Sequence, residues 1–331
     1  MQQDMLSIGD ITIDAFIRLK DARVHCNIKD EDCELCVRYG DKIPYEYVEV
    51  VPAVGNAANA AVSAARIGIA STFRSYLGDD ENGKTCIETL EKEGVDTSLI
   101  VKDPNNKTNY HYVLWFEAER TILIKHEHYA YDFPQLAEEP KWIYLSSMSE
   151  GDVAMAYHKQ IEKYLVEHPN VKLAFQPGTF QMKIPIEEIK DLYARTEIFF
   201  CNKEESQRIL KTEESDIKKL LVAMRELGPK IAVITDGRNG SYVMDDSGSY
   251  HMPMYPDPAP PKDRTGAGDA TASTTVAYII KGLEPKEAIL RGHINSANVV
   301  QETGAQKGLL TAEKIEEWYA KRPTDFVATA L

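Results

Sequence analysis

The sequence predicts an α/β protein with a mainly parallel sheet and a small additional β-sheet. Two observations carry this. From residue 141 onward, short β-branched or aromatic runs alternate with helical stretches of ten residues or more, a rhythm that requires crossover connections and a sheet covered on both faces. Before it, two excursions of strand-like sequence, within about 11–52 and 107–128, fall outside that rhythm. Ile43 to Val51 has period two, and Thr108–Phe116 and Arg120–Glu127 read as a strand pair turning at Glu117–Glu119. The chain is read as one domain over 1–331, with no internal repeat.

Taken in order, Met5–Ile17 is a buried strand followed by a second one, interrupted by Asp14, whose carboxylate in an apolar run needs a partner. Val54–Gly68 is an Ala-rich helix, with Ala-Ala-x-x-Ala-Ala spacing that allows close packing. Asn56 is placed to cap it, whereas Asn59 sits in the first turn, where it lowers helix propensity, and is a candidate ligand contact. Ala70–Leu77 is expected as a strand. Further strands are expected at Trp142–Ser146, Val171–Phe175, Glu197–Cys201 and Ile231–Thr235. Helices are expected up to Glu167, up to Ala194, and over 203–227, 267–281, 285–302 and 312–321, with a hairpin of Tyr242–Asp245 and Gly248–Met252. Ligands in such sheets bind at the carboxyl ends of strands, where Asn202, Asp236-Gly237 and the turn at Gly266 lie.

Composition narrows the partners. With 38 basic and 52 acidic residues the net charge is −14, and no basic cluster suggests nucleic acid. There is no signal-like start and no run of about 20 apolar residues, so a cytoplasmic location without membrane contact is expected. Five cysteines, an odd number, point to reduced thiols. His25, Cys26, Cys33 and Cys36 could ligate zinc, but adjacent His25 and Cys26 suit one tetrahedral site poorly, so a loop with free thiols is the preferred reading.

Two stretches carry phosphate-site signals. Asp263-Arg264-Thr265-Gly266-Ala267-Gly268-Asp269 runs into a small-and-apolar helical segment. A Gly-Ala-Gly turn exposes backbone amides, and a helix N-terminus adds unpaired N–H groups and a positive dipole end. Asp269 would repel a phosphate there, but fits a base facing an attacking hydroxyl; the plainer alternative is a capped helix. The second stretch, Gly78–Thr85, matches the P-loop pattern G-x4-G-K-[ST]. However, Asp79, Asp80 and Glu81 would line a cradle meant for phosphates, and an acidic helix cap accounts for it better.

Together these residues resemble the ribokinase/PfkB family of small-molecule kinases over nearly the whole chain. The resemblance rests on Asp14, Val54-Gly55-Asn56-Ala57-Ala58-Asn59, Leu77-Gly78-Asp79-Asp80 with Gly83, Asn202-Lys203-Glu204-Glu205, Thr235-Asp236-Gly237 with Gly240, Asp263–Asp269, and Asn298 with Gly304-Ala305-Gln306. It implies a ribokinase-like three-layer α/β/α sandwich in which the small sheet is a lid. It implies transfer of the γ-phosphoryl group of ATP to a small polyol, most simply a sugar, with a nucleoside as the alternative acceptor. In that frame Asp269 is the base, and Gly266, Ala267 and Gly268 form the anion hole. Asp14, Gly55 and Asn59 hold the acceptor. Asn202, Thr235, Gly237, Gly240 and Asn298 serve the nucleotide, and Glu205 holds Mg²⁺ through water. Asp263 and Thr265 resemble the monovalent-cation (K⁺) site of many members, and pairing of two lids would give a homodimer. A non-catalytic sensor on this fold would not need Asp269. The chain departs from the family at Val54, at Arg264, which could contact phosphate or point to solvent, and at Gln176–Gln181, which lacks the run seen in acid-sugar kinases.

Overall fold

The computed structural model describes residues 3–26, 33–117 and 119–331. The chain starts with β1 (Met5–Ile8) and β2 (Thr12–Leu19), then a short hairpin of β3 (Arg23–His25) and β4 (Glu34–Cys36) before the long β5 (Tyr45–Val54). Next come α1 (Asn56–Ile67), β6 (Ser71–Arg74), β7 (Tyr76–Gly78), α2 (Glu81–Lys92), β8 (Val101–Asp103), β9 (Tyr110–Phe116) and β10 (Glu119–Leu123). From β11 (Trp142–Leu145) strands and helices alternate: α3 (Asp152–Glu167), β12 (Lys172–Phe175), α4 (Lys190–Arg195), β13 (Thr196–Asn202), α5 (Lys203–Leu210), α6 (Ile217–Glu226) and β14 (Ile231–Thr235). The chain closes with β15 (Ser241–Asp245), β16 (Gly248–Met252), α7 (Ala267–Ile280), α8 (Pro285–Val299), α9 (Ala312–Ala320) and the short β17 (Thr329–Ala330).

Nine strands form the main sheet in the order β17-β16-β15-β14-β13-β12-β11-β1-β6. All pairs from β6 to β14 are parallel, as crossover connections require, and the β14–β17 end is antiparallel. Alternate side chains enter two cores. Leu6, Ile8, Ile143, Leu145, Leu173 and Phe175 pack with α3, α4, α5 and α6, while Met5, Trp142, Tyr144, Ala174 and Ile198 pack with α1, α7, α8 and α9. Burial on both faces explains why these strands read as continuous apolar runs. The result is the three-layer α/β/α arrangement expected.

A separate four-stranded sheet, β10-β9-β2-β5, stands over the carboxyl end of β1. Its β2 and β9 are parallel, which sets Asp14 beside His111 across the strands.

Some expectations change. The stretch Ala70–Leu77 is two strands, because β7 leaves the main sheet to pair with β8. Between Gly178 and Ala194 only α4 is regular α-helix, preceded by two 3₁₀ turns. Pro185 has no N–H to continue a helix and holds Ile184 extended. The expectation of reduced thiols fails at Cys26 and Cys33, which form a disulfide. They directly follow and precede the opposed pair His25 and Glu34 at the end of the β3–β4 hairpin where the chain passes from one strand to the other, which brings their Cα atoms to 4.0 Å. As a disulfide they have no thiolate to offer a metal, and the described residues contain no group of three or more His, Cys, Asp or Glu arranged to bind one. Cys36, Cys86 and Cys201 are free thiols, and burial pushes Cys86 up to about 12. No described helix is long and apolar enough to cross a membrane.

Two buried histidines brace the sheet layers. Nδ1 of His158 meets the Ala154 carbonyl at 2.6 Å and its Nε2 meets the Gln181 amide at 2.9 Å. Nδ1 of His293 meets the Pro253 carbonyl at 2.7 Å and its Nε2 meets Ser241 at 2.8 Å. Burial pushes each down to about 4 from 6.5. The unfolded chain therefore takes up protons below about 6.5 that the folded chain refuses until about 4. Stability present near neutrality should fall as pH drops through this window, by up to on the order of 3 kcal/mol per histidine. Urea unfolding at pH 7 and pH 4.5 should show the loss, and a His158→Gln/His293→Gln variant should flatten it.

Candidate active site

Helix α7 begins where the two sheets meet. Gly266 is its N-cap, with φ of +82°, and Ala267, Gly268 and Asp269 form the first turn. A Cβ on Gly266 would lie 2.4 Å from the Ala305 Cβ, whereas one on Gly268 would meet nothing within 4 Å. The first glycine is thus needed by the fold, and the second leaves the helix N-terminus open.

Small residues set the position of Asp269. Helices α1 and α7 approach closely through Ala60, Ala64, Ala272 and Ala277, with Ser63 and Thr274 in hydroxyl contact at 3.3 Å. This brings three side-chain amides onto one carboxylate. Asn56 donates to Oδ1 at 3.0 Å, Gln176 to Oδ1 at 2.9 Å, and Asn59 to Oδ2 at 2.7 Å. Asn56 is therefore not the helix cap, a position taken by Gly55 with φ of +117°. Asn59 and Gln176 are themselves oriented: Gln306 donates to Oδ1 of Asn59 at 3.0 Å, and the buried Tyr144 hydroxyl donates to Oε1 of Gln176. Burial raises the Asp269 pKa from the ordinary aspartate value, against the lowering effect of Asn59, Gln176 and Asn56. A carboxylate has about four lone-pair sites, and three are taken. The remaining one is on Oδ2.

Two cavities flank this turn. The first, of about 240 Å³, is lined by Asp269 and Thr265 together with Asp14, Val54, Gly55, Asn59, His111, His126 and Phe180. The second, of about 250 Å³, is lined by Ala267 and Gly268 together with Thr235, Gly237, Gly240, Arg238, Arg264 and Ser296. Gly237 (φ +52°) and Gly240 (φ +83°) both use left-handed backbone, and a Cβ on Gly240 would lie 2.1 Å from the Met252 carbonyl. Arg264 belongs to this second cavity.

Other candidates lie elsewhere. Asn202 and Glu205 form a reciprocal capping box at the start of α5, each accepting at 2.8 Å. Burial and the nearby Asp269 raise the Glu205 pKa, against the Asn202 amide. One carboxylate oxygen remains outside the box, a donor that fits Mg²⁺ or its waters. Asn298 donates to the Gly308 carbonyl at 2.7 Å and lines neither cavity. Asp263 accepts from the Thr265 amide and hydroxyl and from the Gly304 amide, with Arg120 3.9 Å away. Three of its roughly four lone-pair sites are thus used within the protein, and one, on Oδ2, remains. At Gly78–Thr85, Asp80 caps α2 by accepting from Gly83 and also takes the Thr108 amide and hydroxyl. Burial alone would raise the Asp80 pKa, but the Thr108 and Gly83 bonds outweigh it and hold it low. The Gly78, Asp79, Gly83 and Lys84 amides are thus taken by the Thr108 hydroxyl, the Asp103 carbonyl, the Asp80 carboxylate and the Asp80 carbonyl, and nothing supports the P-loop alternative.

The family model for the pfkB family carbohydrate kinases matches residues 26–312. The chain belongs to that family. It is 26% identical over 281 residues to a 2-dehydro-3-deoxygluconokinase of Thermoproteus tenax, covering 80% of this chain and 84% of that one. Among solved structures, the nucleoside kinase of Methanocaldococcus jannaschii superposes with a TM-score of 0.77 at 17% identity, over 97% and 99% of the two chains. The Arabidopsis thaliana ribokinase complexed with ribose and ATP superposes with a TM-score of 0.76 at 18% identity, over 96% and 98%. The structural likenesses establish the fold, and the family establishes a phosphotransferase of the carbohydrate-kinase type.

Residue-type reasoning missed four contributors at the site. Gln176 follows a strand at its carboxyl end, a position that already signals a ligand site. His111, His126 and Asp10 had no motif around them, and only the pairing of β2 with β9 and the path after β10 bring them in.

The two glycines should separate fold from function. Gly268→Ala should leave the unfolding midpoint within about 1 kcal/mol of wild type, as Cβ has space, while weakening nucleotide use measured by steady-state kinetics. Gly266→Ala should destabilise by roughly 1–3 kcal/mol, from overpacking and left-handed strain.

Proposed function

We propose that the protein transfers the γ-phosphoryl group of ATP to a hydroxyl of a small polyol, most simply a sugar. The observation that supports this best is the contrast between the two cavities on either side of one helix start. The cavity at Ala267 and Gly268 carries Arg238 and Arg264 and suits an anionic nucleotide. The cavity at Asp269 carries carboxylates and imidazoles and suits a neutral, hydroxyl-bearing acceptor.

In this reading the acceptor hydroxyl donates to the remaining Oδ2 site of Asp269. As its oxygen attacks the γ-phosphorus, the proton passes to Asp269 and ADP leaves. Unpaired amides at the start of α7 stabilise the charge on the transferring group, and Arg264 adds a cation on the nucleotide side. Thr235, Gly237 and Gly240 let the nucleotide approach the backbone. Mg²⁺ held near Glu205 and Asn202 would neutralise phosphate charge. Asn56, Asn59 and Gln176 fix the carboxylate, and Asp14 and Gly55 bound the acceptor. The four-stranded sheet acts as a lid that excludes water and protects ATP from hydrolysis. Its exposed Val48, Val50 and Tyr112, which share one face of the sheet, supply an apolar surface for a homodimer through the lid.

Asp269→Asn should lower kcat by roughly 10²–10⁴-fold with nucleotide affinity nearly unchanged, measured by ADP release and by calorimetry. Unchanged turnover would remove Asp269 from the role of base. Because the Asp269 pKa is raised, wild-type kcat/KM should fall at acid pH with an inflection above that of an ordinary aspartate. Lys84→Ala should leave turnover largely intact.

A further inference from the structure

The acceptor cavity contains two imidazole–carboxylate couples whose histidines none of the sequence motifs includes. Asp14 on β2 and His111 on β9 are cross-strand neighbours, with Nδ1 of His111 3.4 Å from Oδ1 of Asp14. His111 is 8% exposed, and its Nε2 is buried without a hydrogen-bond partner. Nδ1 of His126 meets Oδ2 of Asp10 at 3.0 Å, while the Tyr131 hydroxyl donates to Oδ1 of the same carboxylate at 2.7 Å. The two rings lie 5.3 Å apart, and His126 packs edge-on against Phe180 at 5.3 Å. All of these residues except Tyr131 line the cavity.

The chemistry of the pairs determines what they can recognise. The Asp10 carboxylate only accepts, so in neutral His126 the proton resides on Nδ1 and Nε2 is an acceptor, while His111 and Asp14 face each other at 3.4 Å without a hydrogen bond and leave Nε2 of His111 and Oδ1 of Asp14 unpartnered. Asp14 and the Oδ2 site on Asp269 add further acceptors; of the hydroxyls in the wall, those of Thr12 and Thr265 already donate to the Ile13 carbonyl and to Asp263, and those of Ser147 and Thr179 can donate or accept. The amide of Asn59 is already committed to Asp269. Among the described residues lining the cavity there is no lysine or arginine, and the guanidinium of Arg120 lies by Asp263. Such a wall satisfies a ligand that brings several hydroxyl donors. It leaves a phosphate or carboxylate facing three aspartates with no counter-charge, which costs several kcal/mol at close range.

We propose that His111 and His126 are specificity-determining residues that accept hydrogen bonds from acceptor hydroxyls, and that the acceptor is an uncharged polyol, not a sugar phosphate or a sugar acid. This rests on the kinase reading above and narrows it.

The test uses matched trios of a neutral sugar, its phosphate and its acid. Binding is measured by calorimetry on the full chain with a non-hydrolysable ATP analogue, and turnover by ADP release. At least one neutral member should bind at least tenfold more tightly than its charged counterparts. His111→Leu and His126→Leu should each weaken that binding at least tenfold. In kinetics they should raise the acceptor KM with a smaller change in kcat, and leave the nucleotide KM alone. His126→Gln, which can donate to Asp10 and still present an acceptor oxygen, should lose less than about threefold. Tighter binding of a charged member, or wild-type affinity in both leucine variants, would overturn the proposal. If folding of a leucine variant is impaired, the glutamine variant and the wild-type trio still decide it. Neutral-sugar binding without turnover would count against the kinase reading and leave this one standing.

Discussion

The close approach of α1 to α7 governs the site. A seam of alanine, serine and threonine lets the two helices meet over the main sheet, so that Asn56 and Asn59 at the start of one reach Asp269 at the start of the other. A larger residue at Ala60 or Ala272 would separate the helices and remove two of the three amides that hold the carboxylate. The third, Gln176, comes from the end of a central strand and is set by Tyr144 from the next strand. The setting of the Asp269 carboxylate thus depends on packing in the sheet layer as much as on the motif that contains it.

Holding an acid beside an anion-binding helix start is an electrostatic conflict, and the structure separates its two parts. Gly268 and Ala267 face the cavity that carries arginines, and Asp269 faces the cavity that carries imidazoles and other carboxylates. Burial raises the proton affinity of Asp269, while three amide donors favour its ionised form. The balance suits a group that must be a carboxylate before reaction and take a proton during it. The same segregation of charge explains Arg264, which belongs with the arginine-bearing cavity.

Hydrogen bonds that a motif would reserve for ligands are in several places used by the protein itself. Asp80 takes the amides around the P-loop-like stretch, Asp263 ties the loop at Thr265 to Gly304, and Asn298 holds Gly308. Sequence patterns mark where polar groups cluster. Whether a group is free to meet a ligand depends on what else it touches.

What the sequence determined by itself is local or periodic. Alternating strands and helices gave the layered sheet, because crossover length and two-sided burial are written in apolar spacing. The Gly-Ala-Gly-Asp turn gave the site, because backbone exposure at glycine and the helix start are local properties. Of the residues singled out in the sequence, Asp269, Asp14 and Asn59 line one cavity and Gly268, Thr235 and Gly237 the other. Only the tertiary structure decided which groups meet across long separations. The pairing of β2 with β9 set His111 beside Asp14, the α1–α7 contact turned Asn56 from a cap into a partner of Asp269, and the hairpin of β3 and β4 joined Cys26 to Cys33. These contacts depend on register and on packing between distant segments, which no spacing along the chain encodes.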